Sequence, residues 1–271
     1  SYLGLFLSAG RLFSFCIEKW ENRQVQLTPY IVASLVVLCF GWMANNRTHA
    51  WSDSLTLWND VLKKYPNNYF ALSNRGNVFT EMGENEKALA DFDRCLELAP
   101  KFTMVYNNRG LAYQNLGQFD NALADYNHAL RFENADPGIF RNRGLVLAEL
   151  GSYEQAVVDF TRYINAYPNE PPGYLFRAVA FERLRKYEEA IADYTTVISF
   201  DSGNAGPYNN RGWVHYLNGN LELAKEDFTQ CLKLNPEFAQ AWYRSGKVKE
   251  ALGDVEGANH DYQKARALGY K

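Results

Sequence analysis

Residues 107–126 read NNRGLAYQNLGQFDNALADY, and the spacing of a few residues inside this stretch decides the fold. Gly110 and Ala122 are small, Tyr126 follows Ala122 by four, and Arg109 precedes Asp125 by 16. The tripeptide Asn-Arg-Gly that opens the pattern recurs at 74–76, 142–144 and 210–212. Moving outward in either direction, the whole pattern returns with a period of 34. The first small place is Gly76, Gly110, Gly144, Ala178, Gly212 and Gly246; the second is Ala88, Ala122, Ala156, Ala190, Ala224 and Ala258. An aromatic lies four beyond each alanine, at Phe92, Tyr126, Phe160, Tyr194, Phe228 and Tyr262. Six units therefore run in one register without an insertion, which is the signature of a repeat array.

Each unit reads as two helices. The first carries an aromatic four before the small residue (Tyr106, Phe140, Tyr174, Tyr208, Trp242; Leu72 in the first unit), and the second carries the Ala-x-x-x-aromatic pair. Both are helical spacings that bury one face. Glycine inside a helix costs about 1 kcal/mol relative to alanine, so its return in five units implies a close approach of two helix backbones there. Pro66, Pro100, Pro168 and Pro236 stop the second helices, because proline disfavours helical geometry in the residue before it. A half unit, WSDSLTLWNDVLKKYP, aligns with a second helix alone and is expected to cap the array over residues 51–68, ahead of the six units at 69–271. At the other end Asn259 and Arg266 stand where most units are apolar, as suits a terminal repeat with nothing to stack on.

An arginine precedes the small residue in five units, always 16 before an aspartate: Arg75 and Asp91, Arg109 and Asp125, Arg143 and Asp159, Arg177 and Asp193, Arg211 and Asp227. Their co-occurrence predicts a repeated ion pair between the two helices of a unit. The sixth unit keeps Asp261 but has Ser245 in place of the arginine.

These small, small, aromatic and proline places resemble the tetratricopeptide repeat over about three quarters of the chain. The resemblance implies an all-α, right-handed solenoid whose first helices line a concave groove that binds proteins.

The N-terminal fifty residues are different. Between Gln24 and Asn46 lie 23 residues without a charge, and the segment PYIVASLVVLCFGWMA at 29–44 has Tyr30 and Trp42 near its ends. About 20 apolar residues with interfacial aromatics suit a membrane span, here 25–44, and YLGLFLSAGRLFSFCI at 2–17 is expected to be a second. The alternatives are buried helices of a soluble protein or a cleaved signal, and no small-x-small cleavage site follows the second run. Lys19 and Arg23 in the intervening loop outnumber Arg47 beyond, which places the loop in the cytoplasm and the repeats on the non-cytoplasmic side. The opening SYLGLF, the hydrophobic span and NNRTHAWSDSLTLWNDVLKKYPNN together resemble the C-terminal part of membrane glycosyltransferases, including the transmembrane-and-tetratricopeptide O-mannosyltransferases. In that family sugar transfer belongs to an N-terminal multi-spanning region, so the resemblance implies no catalysis in this chain.

Composition argues the same way. With 28 Lys and Arg against 31 Asp and Glu there is no basic excess for nucleic acid. Cys16, Cys39, Cys95 and Cys231 are scattered and read as buried hydrophobes, and His49, His128, His215 and His260 have no metal-ligand spacing. His215 takes the place of Phe79 and Tyr113 and is expected to be a packed, hydrogen-bonded core residue. No catalytic residue, metal or small-molecule cofactor is expected.

Three functions fit: a membrane-tethered interaction module, the C-terminal part of a glycosyltransferase whose repeats recruit acceptor or partner proteins, and a soluble scaffold or co-chaperone. The residues before the arginines, Asn74, Asn108, Asn142 and Asn210, bear on the first. Asparagine is a mediocre helix former, so its return needs a reason: a local backbone hydrogen bond, or a ladder gripping a ligand backbone. The series resembles the asparagine ladder of the O-linked N-acetylglucosamine transferase superhelix. Phe176 and Arg244 interrupt it, and Phe176, Trp213, Tyr216 and Tyr243 are expected to join the asparagines as peptide-binding residues of the groove, the last three as aromatic anchors near the breaks. Ser73 and Gly138 stand where a carboxylate-clamp co-chaperone has lysines, so the expected partner is an extended internal segment rather than a free C-terminus.

Overall fold

The computed structural model describes residues 54–270 apart from Asn134. The spans expected at 2–17 and 25–44 lie outside the described residues; among those described, no helix is long and apolar enough to cross a membrane.

A lone helix, α1 (Ser54–Lys64), is followed by six antiparallel pairs. They are α2 (Tyr69–Glu81) with α3 (Asn85–Leu98), α4 (Thr103–Asn115) with α5 (Phe119–Ala129), and α6 (Gly138–Glu149) with α7 (Tyr153–Ala166). The remaining three are α8 (Pro171–Arg183) with α9 (Tyr187–Phe200), α10 (Ala205–Leu217) with α11 (Leu221–Leu234), and α12 (Ala239–Ala251) with α13 (Val255–Ala267). Each helix packs on its chain neighbours, and the first helices of successive units also touch, as α2 does α4 and α10 does α12. Second helices stay farther apart, so the stack curves with its first helices on the inside. The half unit behaves as the pattern implies: α1 lays Trp58, Val61 and Leu62 on Leu72 and its neighbours, and Asn259 and Arg266 are exposed at the far end.

The small residues form the joints, though not as two backbones in contact. A Cβ added at Gly110 or Gly144 meets the ring of Tyr126 or Phe160 at 2.7 Å, and one at Gly76 meets Phe92 at 2.5 Å. The glycine thus makes room for the aromatic four beyond the alanine, and those rings are fully buried. Gly212 alone among these approaches backbone, at 3.3 Å from the Ala224 carbonyl. Three first helices are tied at their first turn to the proline that precedes them: the Tyr106 and Tyr174 hydroxyls and the Trp242 indole donate to the carbonyls of Pro100, Pro168 and Pro236 at 3.0, 3.1 and 2.8 Å. The turns inside the pairs use glycine at positive φ, as at Gly117 (71°); Arg185 holds the same conformation at 58° in the fourth unit, where a side chain costs about 1–2 kcal/mol.

Candidate functional site

Beneath the groove runs a seam of ion pairs. All five predicted pairs are bidentate, with Nε and Nη2 of each arginine on the two carboxylate oxygens at 2.6–2.9 Å. Such fork-to-fork geometry is the strong form of the interaction, and the aspartates are buried. Hydrogen bonding to the carboxylate holds the Arg75, Arg109 and Arg211 guanidinium groups more firmly protonated than free arginine. The third nitrogen, Nη1, reaches in the opposite direction, to Asn59, Asp93, Asn127, Thr161 and Thr195 on the preceding helix at 2.6–3.0 Å. Each arginine therefore stitches its own unit to the one before, with partners 16 residues away on both sides. Only the forward partner is anticipated by the sequence reading; a polar side chain 16 before each arginine was the signal for the other. In the sixth unit Ser245 donates to Asp261 at 2.7 Å and Lys249, one turn on, supplies the charge at 2.8 Å.

The asparagines do not stand free on the groove wall. Asn74 donates to its own helix at the Phe70 carbonyl, 2.8 Å, so the local alternative holds there. Asn108 and Asn142 instead enter one directional chain across three first helices: Arg141 donates to Asn142, Asn142 to Asn107, Asn107 to Asn108 and Asn108 to Asn77. The last two links are 3.2 and 2.8 Å. A carboxamide has two N–H donors and two acceptor lone pairs, so each Asn in the chain keeps a donor beyond the one it spends. Asn210 accepts from the buried Asn209 at 3.2 Å, which also approaches Gln240 of the next unit at 3.5 Å.

Past the fourth unit the groove turns aromatic. Phe176, half-buried within the fourth unit, tilts onto the buried Phe160 ring at 5.7 Å and packs on the core cluster. Trp213 and Tyr216 stack at 5.1 Å with the Arg244 guanidinium 4.9 Å over the indole. Tyr243 stacks on Tyr270 at 4.7 Å, and with Lys247, Glu250 and Tyr262 they line a cavity of about 490 Å3 at the end of the solenoid. Behind this wall His215 is packed as expected but not hydrogen-bonded. Its Nδ1 is buried without a partner and its Nε2 lies 3.9 Å from Asp227, whose two carboxylate oxygens already accept the Arg211 fork. Burial pulls the His215 pKa down and keeps it neutral.

Tetratricopeptide repeat models match residues 69–102, 104–133 and 205–238, and two further models of the same repeat match 142–170 and 171–204. The chain belongs to the tetratricopeptide repeat family. Its solenoid is similar to that of YrrB, a tetratricopeptide protein described as having an unusual peptide-binding site (22% identity, TM-score 0.61, 68% of this chain and 95% of that one). A tetratricopeptide repeat protein from Parabacteroides merdae (24%, 0.59, covering 85% and 91%) and pilF of Pseudomonas aeruginosa (15%, 0.61, covering 74% and 91%) share the fold. Tetratricopeptide proteins are protein-interaction modules, and α12 and α13 extend the matched units by one further pair of the same build.

Proposed function

We propose that the inner groove binds an extended, internal segment of a partner protein. The observation that carries this reading is the carboxamide chain on α2, α4 and α6. A preformed network holds Asn108 and Asn142 in fixed orientation and leaves each an unspent donor, which can meet a peptide backbone whatever its side chains. Trp213 supplies an aromatic anchor farther along. With helices about 8–10 Å apart and an extended chain advancing about 3.3–3.6 Å per residue, six first helices span a segment of about 15 residues. Peptides of that length, selected on the protein from a random display library, are the probe. The Asn108→Ala/Asn142→Ala double variant and Trp213→Ala should each weaken them about tenfold or more. Unchanged affinity in both folded variants ends the reading.

The module is tethered to a membrane through residues 25–44, with the repeats on the non-cytoplasmic side; the charge-free span with Tyr30 and Trp42 and the Lys19 and Arg23 loop support this. Recovery of the full chain in the soluble fraction without detergent removes the tether, and digestion of the repeats from the cytoplasmic side reverses the topology. The likeness of residues 45–68 to tetratricopeptide glycosyltransferases favours a second reading, in which the repeats hold acceptor or partner proteins beside an upstream transferase region.

A further inference from the structure

Arg244 differs from the seam arginines in its surroundings. Each of those grips an aspartate with two nitrogens, whereas Arg244 is half-buried on the groove side of α12 and forms no ion pair among the described residues. Its single hydrogen bond among the described residues is a long one, from Nη1 to the Asn209 carbonyl at 3.4 Å. A guanidinium carries five N–H donors, so most remain unspent, and none of its nitrogens is sealed from solvent without a partner. The group is held in place by the Trp213 indole on one side, which is itself braced by Tyr216. Burial pulls its pKa down, although an arginine stays charged at any ordinary pH. A partly desolvated, oriented cation with open donors is costly to keep unless something pairs with it.

No carboxylate among the described residues pairs with it. Glu182 on α8 senses Arg244 electrostatically, but the two form no ion pair, and the Glu182 carboxyl takes only a long hydrogen bond from the Tyr194 hydroxyl at 3.4 Å. Glu182, whose pKa burial raises, and Arg244 lie two units apart with Trp213 on the helix between, so a segment crossing α10 passes a half-buried carboxyl group first and a cation second.

We propose that Arg244, seated on Trp213, is a specificity subsite for one acidic side chain of the bound segment. The inference rests on the extended-segment reading above and names the chemistry of its ligand. Arg244 offers two parallel N–H groups, the geometry that suits a carboxylate, while the Trp213 ring covers the acidic residue's methylenes. Glu182 disfavours a second acid on its side, so the site selects a single acid and not an acidic run.

The test uses the same library of about 15-residue peptides, displayed between fixed flanks so that no free C-terminal carboxylate is offered. Wild type and Arg244→Gln are each panned and the pools sequenced. The expected result is enrichment of Asp or Glu at one position in the wild-type pool and its loss in the Arg244→Gln pool. A selected peptide and its Glu→Gln partner should differ about tenfold in affinity for wild type and be equal for Arg244→Gln. Peptides recovered without acidic enrichment, or enrichment that survives in Arg244→Gln, overturn the subsite and leave the groove reading standing. Recovery of no peptide overturns both. The Glu→Gln change is on the peptide, so the comparison holds on wild-type protein even if Arg244→Gln fails to fold.

Discussion

The first three units and the last two share one frame and carry different grooves. In α2, α4 and α6 the wall carries carboxamide bonded to carboxamide, a run of directional contacts. In α10 and α12 the places of Asn77, Asn107 and Asn108 hold Trp213, Tyr243 and Arg244, with Tyr216 stacked on the indole, and the polar groups there are poorly matched, with Asn209 Oδ1 and His215 Nδ1 both buried and unbonded. Underneath, the arginine forks of the third and fifth units are the same to within a few tenths of an ångström. A solenoid can therefore vary its inner face freely, because the contacts that hold its units together lie one layer deeper.

The largest expected effect tests whether that frame is uniform. Arg143→Ala and Arg211→Ala each leave a buried aspartate unpaired and unstitch two units, and each should cost about 2–4 kcal/mol in urea denaturation. A large difference between the two breaks the claim of a shared frame. Next is the sixth unit, where the cation comes from Lys249. Lys249→Met strands the fully buried Asp261 with Ser245 and His260 and should cost about 2 kcal/mol, while Lys249→Arg should largely retain stability.

The mismatch in the C-terminal half is tested by His215→Phe. Removing a buried, unbonded nitrogen should raise stability by about 1 kcal/mol. The pH dependence has a definite sign. Burial depresses the folded His215 pKa, so its contribution is whole above the free value of about 6.5 and is lost as pH falls from there through the folded pKa. The variant should flatten that slope in melting curves taken between neutral and mildly acid pH. The smallest effect belongs to the N-terminal wall: Asn107→Ala removes one donor and one acceptor from a partly exposed chain and should cost about 0.5–1 kcal/mol, while weakening selected peptides more than it weakens the fold. Equal loss of peptide binding from Asn74→Ala would erase the distinction between a networked carboxamide and one spent on its own helix.

Some of this was written in the chain and some was not. The period of 34, the two helices of each unit, the capping half unit and the forward partner of each arginine are all legible, because they are properties of spacing, and the array stacks without insertions. A side chain with one kind of partner is predictable in the same way: a buried guanidinium beside an aspartate has little else to choose. The residues that only the tertiary structure could place are those with several possible partners. A carboxamide both donates and accepts, so Asn74 and Asn108, at the same place in adjacent units, bond respectively to their own helix and to the first helix of the preceding unit. The backward reach of each arginine, the glycine that admits a ring instead of a backbone, and the arginine left open over Trp213 likewise depend on how closely neighbouring helices approach. Periodicity determined which elements form and in what register; distances between helices decided which polar groups were already satisfied and which were left facing the groove.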